Sequence, residues 1–397
     1  MITIHNTEKV KSRGILLDLV RLLACMLVLS RHYISQEFNF LQMTTSLENP
    51  QFKLMFGQLQ TVFDVGFIGV DIFFVISGIA ITRSITGDRS NTLEIAPTDF
   101  VARRFFRLAP TYLFTLIISI LIGRFVFPFP EYKSLGSIFG SFTLSNYINN
   151  LRAPNGVSWT LVYEIKFYLL ILIILILNKY SRNFREIGAR RILILFLLVW
   201  FICFAYSGMQ NLTQFESNNY IFSFRLESSS LLNDFFLGSF GIYFMLGILI
   251  GLMRNRQDLF AAFPFLVLFI SCAIFVLNSR ISAELDTSQT NFVGMAIFIF
   301  SIILLVFGEV FNSRLQSSYL IEYLGKMTYS LYLLHLVAGL GFLKWMLSLG
   351  YPFSIAFIFT VIALFFVSYL IVKYIEDAYS KKLSEVFVKK FRRFLTT

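Results

Sequence analysis

Charge is scarce in this sequence. Only 14% of its 397 residues are Asp, Glu, Lys or Arg, against roughly a quarter in ordinary soluble domains. Histidine is scarcer still, with only His5, His32 and His335. They lie too far apart to give metal-ligand spacing, so no metal is expected. Cys25, Cys203 and Cys272 are isolated within apolar runs, without CxxC and without the pairs of a disulfide framework. Neither GxxxxGK[ST] nor GxGxxG occurs, which leaves no phosphate loop and no dinucleotide fingerprint. No repeat period, heptad or low-complexity segment appears. The basic N-terminus (Lys9, Lys11, Arg13) and the apolar run after it look like a signal peptide at first glance. That run holds Asp18 and Arg21, and no small-x-small cleavage site follows. It reads as a retained first helix.

What remains is grease. Apolar residues fill 56% of the chain and Phe alone occurs 48 times. Apolar stretches of about 20 residues recur, each long enough to cross a bilayer as a helix. The fold class is therefore all-α, a polytopic integral membrane helix bundle whose partner is the lipid bilayer. About ten transmembrane helices are expected, at roughly 14–34, 64–84, 108–127, 159–178, 190–206, 234–253, 261–279, 292–311, 325–346 and 353–375. A net charge of +11 raises the question of nucleic acid. Its placement in short connections between spans answers it, because no module there would read bases.

The same placement orients the chain. With the N-terminus in the cytoplasm, 24 Lys and Arg fall on the cytoplasmic side and 8 on the other. Both termini are then cytoplasmic, as an even number of spans requires. One membrane domain is expected over 1–380, with a short basic cytoplasmic tail over 381–397. The segment 128–157 is an external loop that dips back toward the membrane at 136–148. Gly247 and Gly251 form a small-xxx-small pair for close helix approach, and Ser77-Gly78 offers a second such place.

Ionisable groups inside spans are costly and mark function. Arg21 and His32 are eleven positions apart, three turns plus about 20°, so they share one helical face roughly 16 Å apart along the axis. His32 then lies near the outer end and Arg21 nearer the cytoplasm. A plain reading also stands, with His32 an interfacial histidine and Arg21 a partner of Asp18 or Asp71. Glu164 follows Trp159 by five residues, which places it roughly 7–8 Å below the outer surface, at the depth of His32. A buried carboxylate needs a partner. His32 would make a base–carboxylate pair, while Lys166 or an arginine would make a structural one. Lys166, two residues on, points away on a helix. Arg104 and Arg107 share a face where span three begins. They serve either positive-inside topology or a clamp for phosphates. Asp71 pairs with Arg21 or lines a cavity, and His335 sits near mid-membrane as a satisfied core histidine or a pocket residue.

Five segments, in order, resemble the acyltransferase family 3 membrane proteins, which O-acylate bacterial surface glycans. LDLVRLLACMLVLSRH is similar to the family's Arg-x10-His signature, here Arg21 and His32. GVDIFFVISGIAIT resembles its second-span motif. ARRFFRLAPTYLF resembles its Arg-x-x-Arg stretch, here Arg104 and Arg107, leading to Pro110. VSWTLVYEIKFYLL resembles the block with Trp159, Glu164, Phe167 and Tyr168. LGKMTYSLYLLHL resembles the late-span block with His335. Where many members have Glu-x-Pro after the last span, this chain reads Glu376-Asp377-Ala378. A C-terminal esterase-like domain carried by some members is not expected after the basic tail.

The resemblance implies a bacterial cytoplasmic (inner) membrane enzyme. It would move an acyl group, by default acetyl, from cytoplasmic acyl-CoA to a glycan hydroxyl. No cofactor would be resident, since acyl-CoA is a co-substrate. His32 would be the general base or a transient acyl carrier, and Glu164 would orient it. Arg104 and Arg107 would hold the donor's phosphates, with Arg21 assigned to donor binding or to bundle integrity. Asp71, Trp159, Tyr168 and His335 are pocket candidates. Two rivals from other classes are a transporter or flippase of glycan or lipid precursors, which predicts inverted repeats, and a glycan polymerase or ligase, which predicts a large external loop.

Overall fold

A computed structural model of the chain describes residues 14–35, 59–86, 93, 95–126, 135–147, 156–212, 236–285, 288–311 and 318–396. Among them every regular element is helical. In chain order these are α1 (Ile15–Ile34), α2 (Gln60–Asp64), α3 (Ile68–Thr86), α4 (Pro97–Leu121), α5 (Leu135–Phe142), α6 (Trp159–Tyr180), α7 (Arg182–Ile187) and α8 (Ala189–Leu212). Then come α9 (Gly241–Leu252), α10 (Arg256–Leu285), α11 (Ser288–Phe311), α12 (Tyr319–Leu334), α13 (Leu340–Ser348), α14 (Phe353–Ile371) and α15 (Lys381–Thr396). Three π-helical stretches extend or join them, at Ile122–Val126, His335–Gly339 and Val372–Ser380.

All ten expected spans fall on helices. Eight are long and apolar enough to cross a membrane by length and composition. The other two are α1, which carries Asp18, Arg21 and Arg31 on buried positions, and α9. Every residue of α9 is buried, as a helix that is apolar all round requires. At 12 residues it rises only about 18 Å, short of a hydrocarbon core. Its glycines explain its place at the centre. A Cβ on Gly78 of α3 would come within 2.8 Å of the Gly247 Cα, and one on Gly251 within 2.9 Å of the Thr82 Cβ. The two small-residue stripes thus face each other, backbone against backbone.

Exposed and core faces separate along α6. Ile165, Leu169, Ile173 and Ile176 are exposed, while Phe167, Tyr168, Ile171 and Ile174 are buried. That stripe of apolar surface belongs against hydrocarbon.

Two boundaries differ from expectation. Span three begins at Pro97 rather than 108, so Arg103, Arg104 and Arg107 lie inside a helix, not in the loop before it. Pro97 is a natural first helical residue, and nothing between it and Arg107 breaks a helix. The tail over 381–397 is mostly the amphipathic helix α15, which lays Phe387 against Phe106 of α4 at 5.7 Å between ring centroids. Where a dip was expected over 136–148, α5 and the turn Ser145–Tyr147 fold back on α4, and the Tyr112 hydroxyl donates to the Ser141 carbonyl at 2.6 Å. Residues 127–134 and 148–155, and His5, Lys9, Lys11, Arg13 and Arg89, lie outside the described residues.

Candidate active site

The C-terminal end of α1 is pinned before it presents its histidine. Ser35 Oγ and Gln60 Nε2 donate to Asp64 Oδ1 at 2.5 and 2.8 Å. Arg31 reaches the Asp64 carbonyl and stacks on Phe67 at 5.1 Å. His32 lies one position from Arg31 and so points about 100° away from it, toward the end of α12.

There it meets His335. The Nε2 of His335 lies 3.0 Å from the Nδ1 of His32, with ring centroids 4.9 Å apart. Proton positions follow from the other partners. His335 Nδ1 is 2.6 Å from the Tyr332 carbonyl, and His32 Nδ1 is 2.8 Å from the Val28 carbonyl. Carbonyls only accept, so both Nδ1 atoms carry hydrogen. In the neutral rings His335 Nε2 is therefore an acceptor, and His32 Nδ1–H is shared between it and Val28. The lone pair of His32 is left on Nε2. His335 is wholly buried, whereas His32 keeps partial exposure. The buried ring thus backs the partly exposed one.

His335 opens the π-helical turn between α12 and α13, a distortion common at functional sites. The Tyr33 hydroxyl donates to its carbonyl at 2.5 Å. A Cβ on Gly339 would overlap that hydroxyl, so glycine leaves the room that Tyr33 occupies. Tyr332, its ring 5.6 Å from that of His335, donates its hydroxyl to the Val157 carbonyl at 3.3 Å, tying the segment before α6 to the site.

A second cluster lies farther along α12. Tyr329, Tyr332 and His335 follow at i, i+3 and i+6, each about 60° round the helix from the one before, with about 9 Å from first to last. Tyr329 donates to the Leu108 carbonyl at 3.2 Å. Beside it, Arg107 interacts electrostatically with Tyr168, Glu164, Glu376 and Tyr329. Glu164 accepts from the Tyr168 hydroxyl and from Ser77 Oγ at 3.3 Å. Glu376, in the π-helical stretch after α14, accepts from Thr111 Oγ1 at 3.2 Å. Arg104 lies over the rings of Phe100 and Tyr168 at 5.6 Å each and donates to Ser84 Oγ at 2.7 Å.

Several expected pairings change accordingly. Glu164 does not bond His32. Its partners are Tyr168, Ser77 and Arg107, because equal depth on two helices does not fix which way each side chain faces. Lys166 instead lies over the Tyr163 ring at 5.8 Å. Asp71 pairs not with Arg21 but with Arg280, at 2.5 Å. Arg280 in turn lies over Phe67 and Phe240. Trp159 packs against Tyr163 and Phe240 in the same aromatic group. Arg21 holds Asp18 at 3.1 Å, the partner within its own helix that was expected. Asp18 seats against Gly325, where a Cβ would come within 2.6 Å.

Sequence reasoning passed over Tyr33, Tyr329 and the role of Glu376. Glu376 alone left a signal, as the carboxylate of the Glu376-Asp377-Ala378 stretch. Among the described residues no three of His, Cys, Asp or Glu gather as metal ligands. A cavity of about 300 Å³ lies between α2 and α11, lined by Thr61, Ser288, Gln289, Phe292 and Val293. Neither imidazole lines it.

The chain is 31% identical over 117 residues to the peptidoglycan O-acetyltransferase OatA of Listeria monocytogenes, covering 26% of this chain and 19% of that protein. It is 36% identical over 118 residues to the O-acetyltransferase OatA of Staphylococcus aureus, with the same coverage. The matches span about a fifth of the length of these relatives. No solved structure matches. The model of the acyltransferase domain family, acyltransferase family 3, matches residues 15–373, nearly the whole chain, and the chain belongs to that family.

Proposed function

We propose that this protein is a membrane O-acyltransferase that moves an acyl group, acetyl by default, from acyl-CoA to a hydroxyl of a cell-surface or exported glycan. The observation that carries the reading is the His32–His335 pair. It sets a partly exposed imidazole, His32, against a buried one, His335, that bonds it from behind. Imidazole is the side chain most often used as a general base in transfer to a hydroxyl.

In this reading His32 Nε2 takes the proton of the acceptor hydroxyl as its oxygen attacks the thioester carbonyl. The C–S bond breaks, and the leaving thiolate takes the proton back from His32. While His32 is an imidazolium, its Nδ1–H bonds to His335 Nε2 and to the Val28 carbonyl hold the ring and spread the charge. This is the orienting role a carboxylate has in a catalytic triad, here filled by a neutral group that adds no second buried charge. Glu164 and Glu376 hold Arg107, and Arg104 is the partner for donor phosphates at that side of the bundle. The basic connections support a cytoplasmic position for that side, with His32 toward the exterior of a bacterial cytoplasmic membrane. O-acetyl transfer by the named relatives supports acetyl as the group moved.

The test is full-length protein in detergent with labelled acetyl-CoA and cell-wall or capsular glycan. Label in the glycan, lost in His32→Ala protein that still inserts and purifies, is the expected result. Undiminished transfer by that variant would remove His32 from the chemistry.

A further inference from the structure

The end of the bundle opposite His32 holds a cluster of arginines that this reading does not use. Arg83, in the last turn of α3, grips Glu309 of α11 with two contacts, 2.6 and 2.7 Å. Arg254, in the turn between α9 and α10, donates from its guanidinium to Thr86 Oγ1 at 2.8 Å and from its backbone N–H to Asp258 Oδ2 at 2.9 Å. Arg190 reaches the other oxygen of Asp258 at 2.7 Å. Both carboxylates act on Arg254 as well. Glu309 is thus shared by Arg83 and Arg254, and Asp258 by Arg190 and Arg254. Three guanidiniums gather round two carboxylates.

Such a grouping is costly. Burial and the neighbouring Arg83 charge both push the Arg254 guanidinium below its usual pKa. A helix clamp needs only Arg83 and Glu309. A second arginine held against the first makes sense when an anion completes the set. The place is also informative. Glu309 follows Gly308, which packs against Leu16, sixteen residues before His32 on α1. That is about 24 Å along the helix. Ser84, next to Arg83, accepts from Arg104, so α3 carries Arg104 on one flank and the Arg83–Arg254 group on the other.

Coenzyme A has two separate anionic groups, a pyrophosphate in its chain and a phosphate on the ribose. We propose that Arg83 and Arg254 form the subsite for the ribose phosphate, while Arg104 faces the pyrophosphate. This rests on acyl-CoA being the donor. The reactive thioester would lie at the far end of the pantetheine arm, toward the imidazole pair.

The experiment compares acetyl-CoA with its 3′-dephospho form on the full chain in detergent. Wild type should show a KM for the dephospho donor about tenfold or more above that for acetyl-CoA. In Arg254→Gln the ratio of the two KM values should fall close to one, and Arg254→Lys should restore part of it. A ratio unchanged in Arg254→Gln overturns the subsite. Arg83→Gln also opens the Glu309 contact and is the less clean variant. Binding of adenosine 3′,5′-bisphosphate by calorimetry, which needs no turnover, separates the two layers of the argument. If wild type transfers no acetyl yet binds this nucleotide more tightly than Arg254→Gln does, the anion site stands and the acyl-CoA reading fails. Equal binding by the two proteins overturns the site.

Discussion

His335 Nε2 and His32 Nδ1 lie 3.0 Å apart across 303 positions of sequence. With both Nδ1 atoms committed as donors to carbonyl oxygens, the pair has a direction: His335 accepts, His32 donates, and the basic nitrogen faces away from the contact. His32→Ala should cost about 10²–10⁴-fold in acyl transfer, the usual worth of a general base. His335→Leu removes the acceptor while keeping an apolar filler, and should lower kcat with little change in the donor KM. Steady-state rates with both substrates varied check this split.

Tyr33 offers a milder perturbation of the same pair. Tyr33→Phe deletes the hydroxyl that bonds the His335 carbonyl and should cost about 1 kcal/mol of stability, with a fall in rate smaller than that of His335→Leu. Gly339→Ala should be worse than Tyr33→Phe, because the methyl overlaps the tyrosine oxygen. In the combined Tyr33→Phe, Gly339→Ala protein much of the added loss should return. Thermal unfolding in detergent ranks the four proteins.

Arg104 and Arg107 differ in kind although they sit three residues apart. Arg107 compensates Glu164 and Glu376 inside the bundle. Removing one partner of such a group costs about 3–5 kcal/mol. Arg107→Ala should therefore lower the yield of folded protein, and Glu164→Gln in the same chain should recover part of it. Arg104, stacked on Phe100 and Tyr168 and bonded to a serine, should fold normally as Ala but show a raised KM for the acyl donor.

Arg280→Ala strips the guanidinium from Asp71, which is fully buried, and should destabilise by about 3–5 kcal/mol. The Asp71→Leu, Arg280→Leu double variant should be more stable than Arg280→Ala alone. If the single and double variants melt together, the ion pair has no structural role.

The spans were legible because hydropathy and length are properties of one segment at a time. Both the long lipid-facing helices and the charged first helix announce themselves that way. That Gly247 and Gly78 sit at close helix approaches was legible for a related reason, since small residues at helical spacing serve little else; that they meet each other was not. The histidine pair was not. His32 carried a depth and a helical face, but nothing in a single chain says which of nine other spans lies opposite that face. Depth alone therefore suggested Glu164 as its partner. Glu164 is in fact bound by Tyr168 and Ser77, with Arg107 acting on it. Arg107 itself was assigned to a loop, since counting basic residues by side rewards loop placement. Carboxylates from two other helices draw it inward instead.

The central claim is that His32 and His335 act as one unit, and a double-mutant cycle on acetyl transfer measures that most directly. Rates are needed for wild type, His32→Ala, His335→Leu and the protein carrying both changes. The account predicts that His335→Leu slows the wild-type enzyme and makes no further difference once His32 is gone. Losses that simply multiply in the double variant would contradict it.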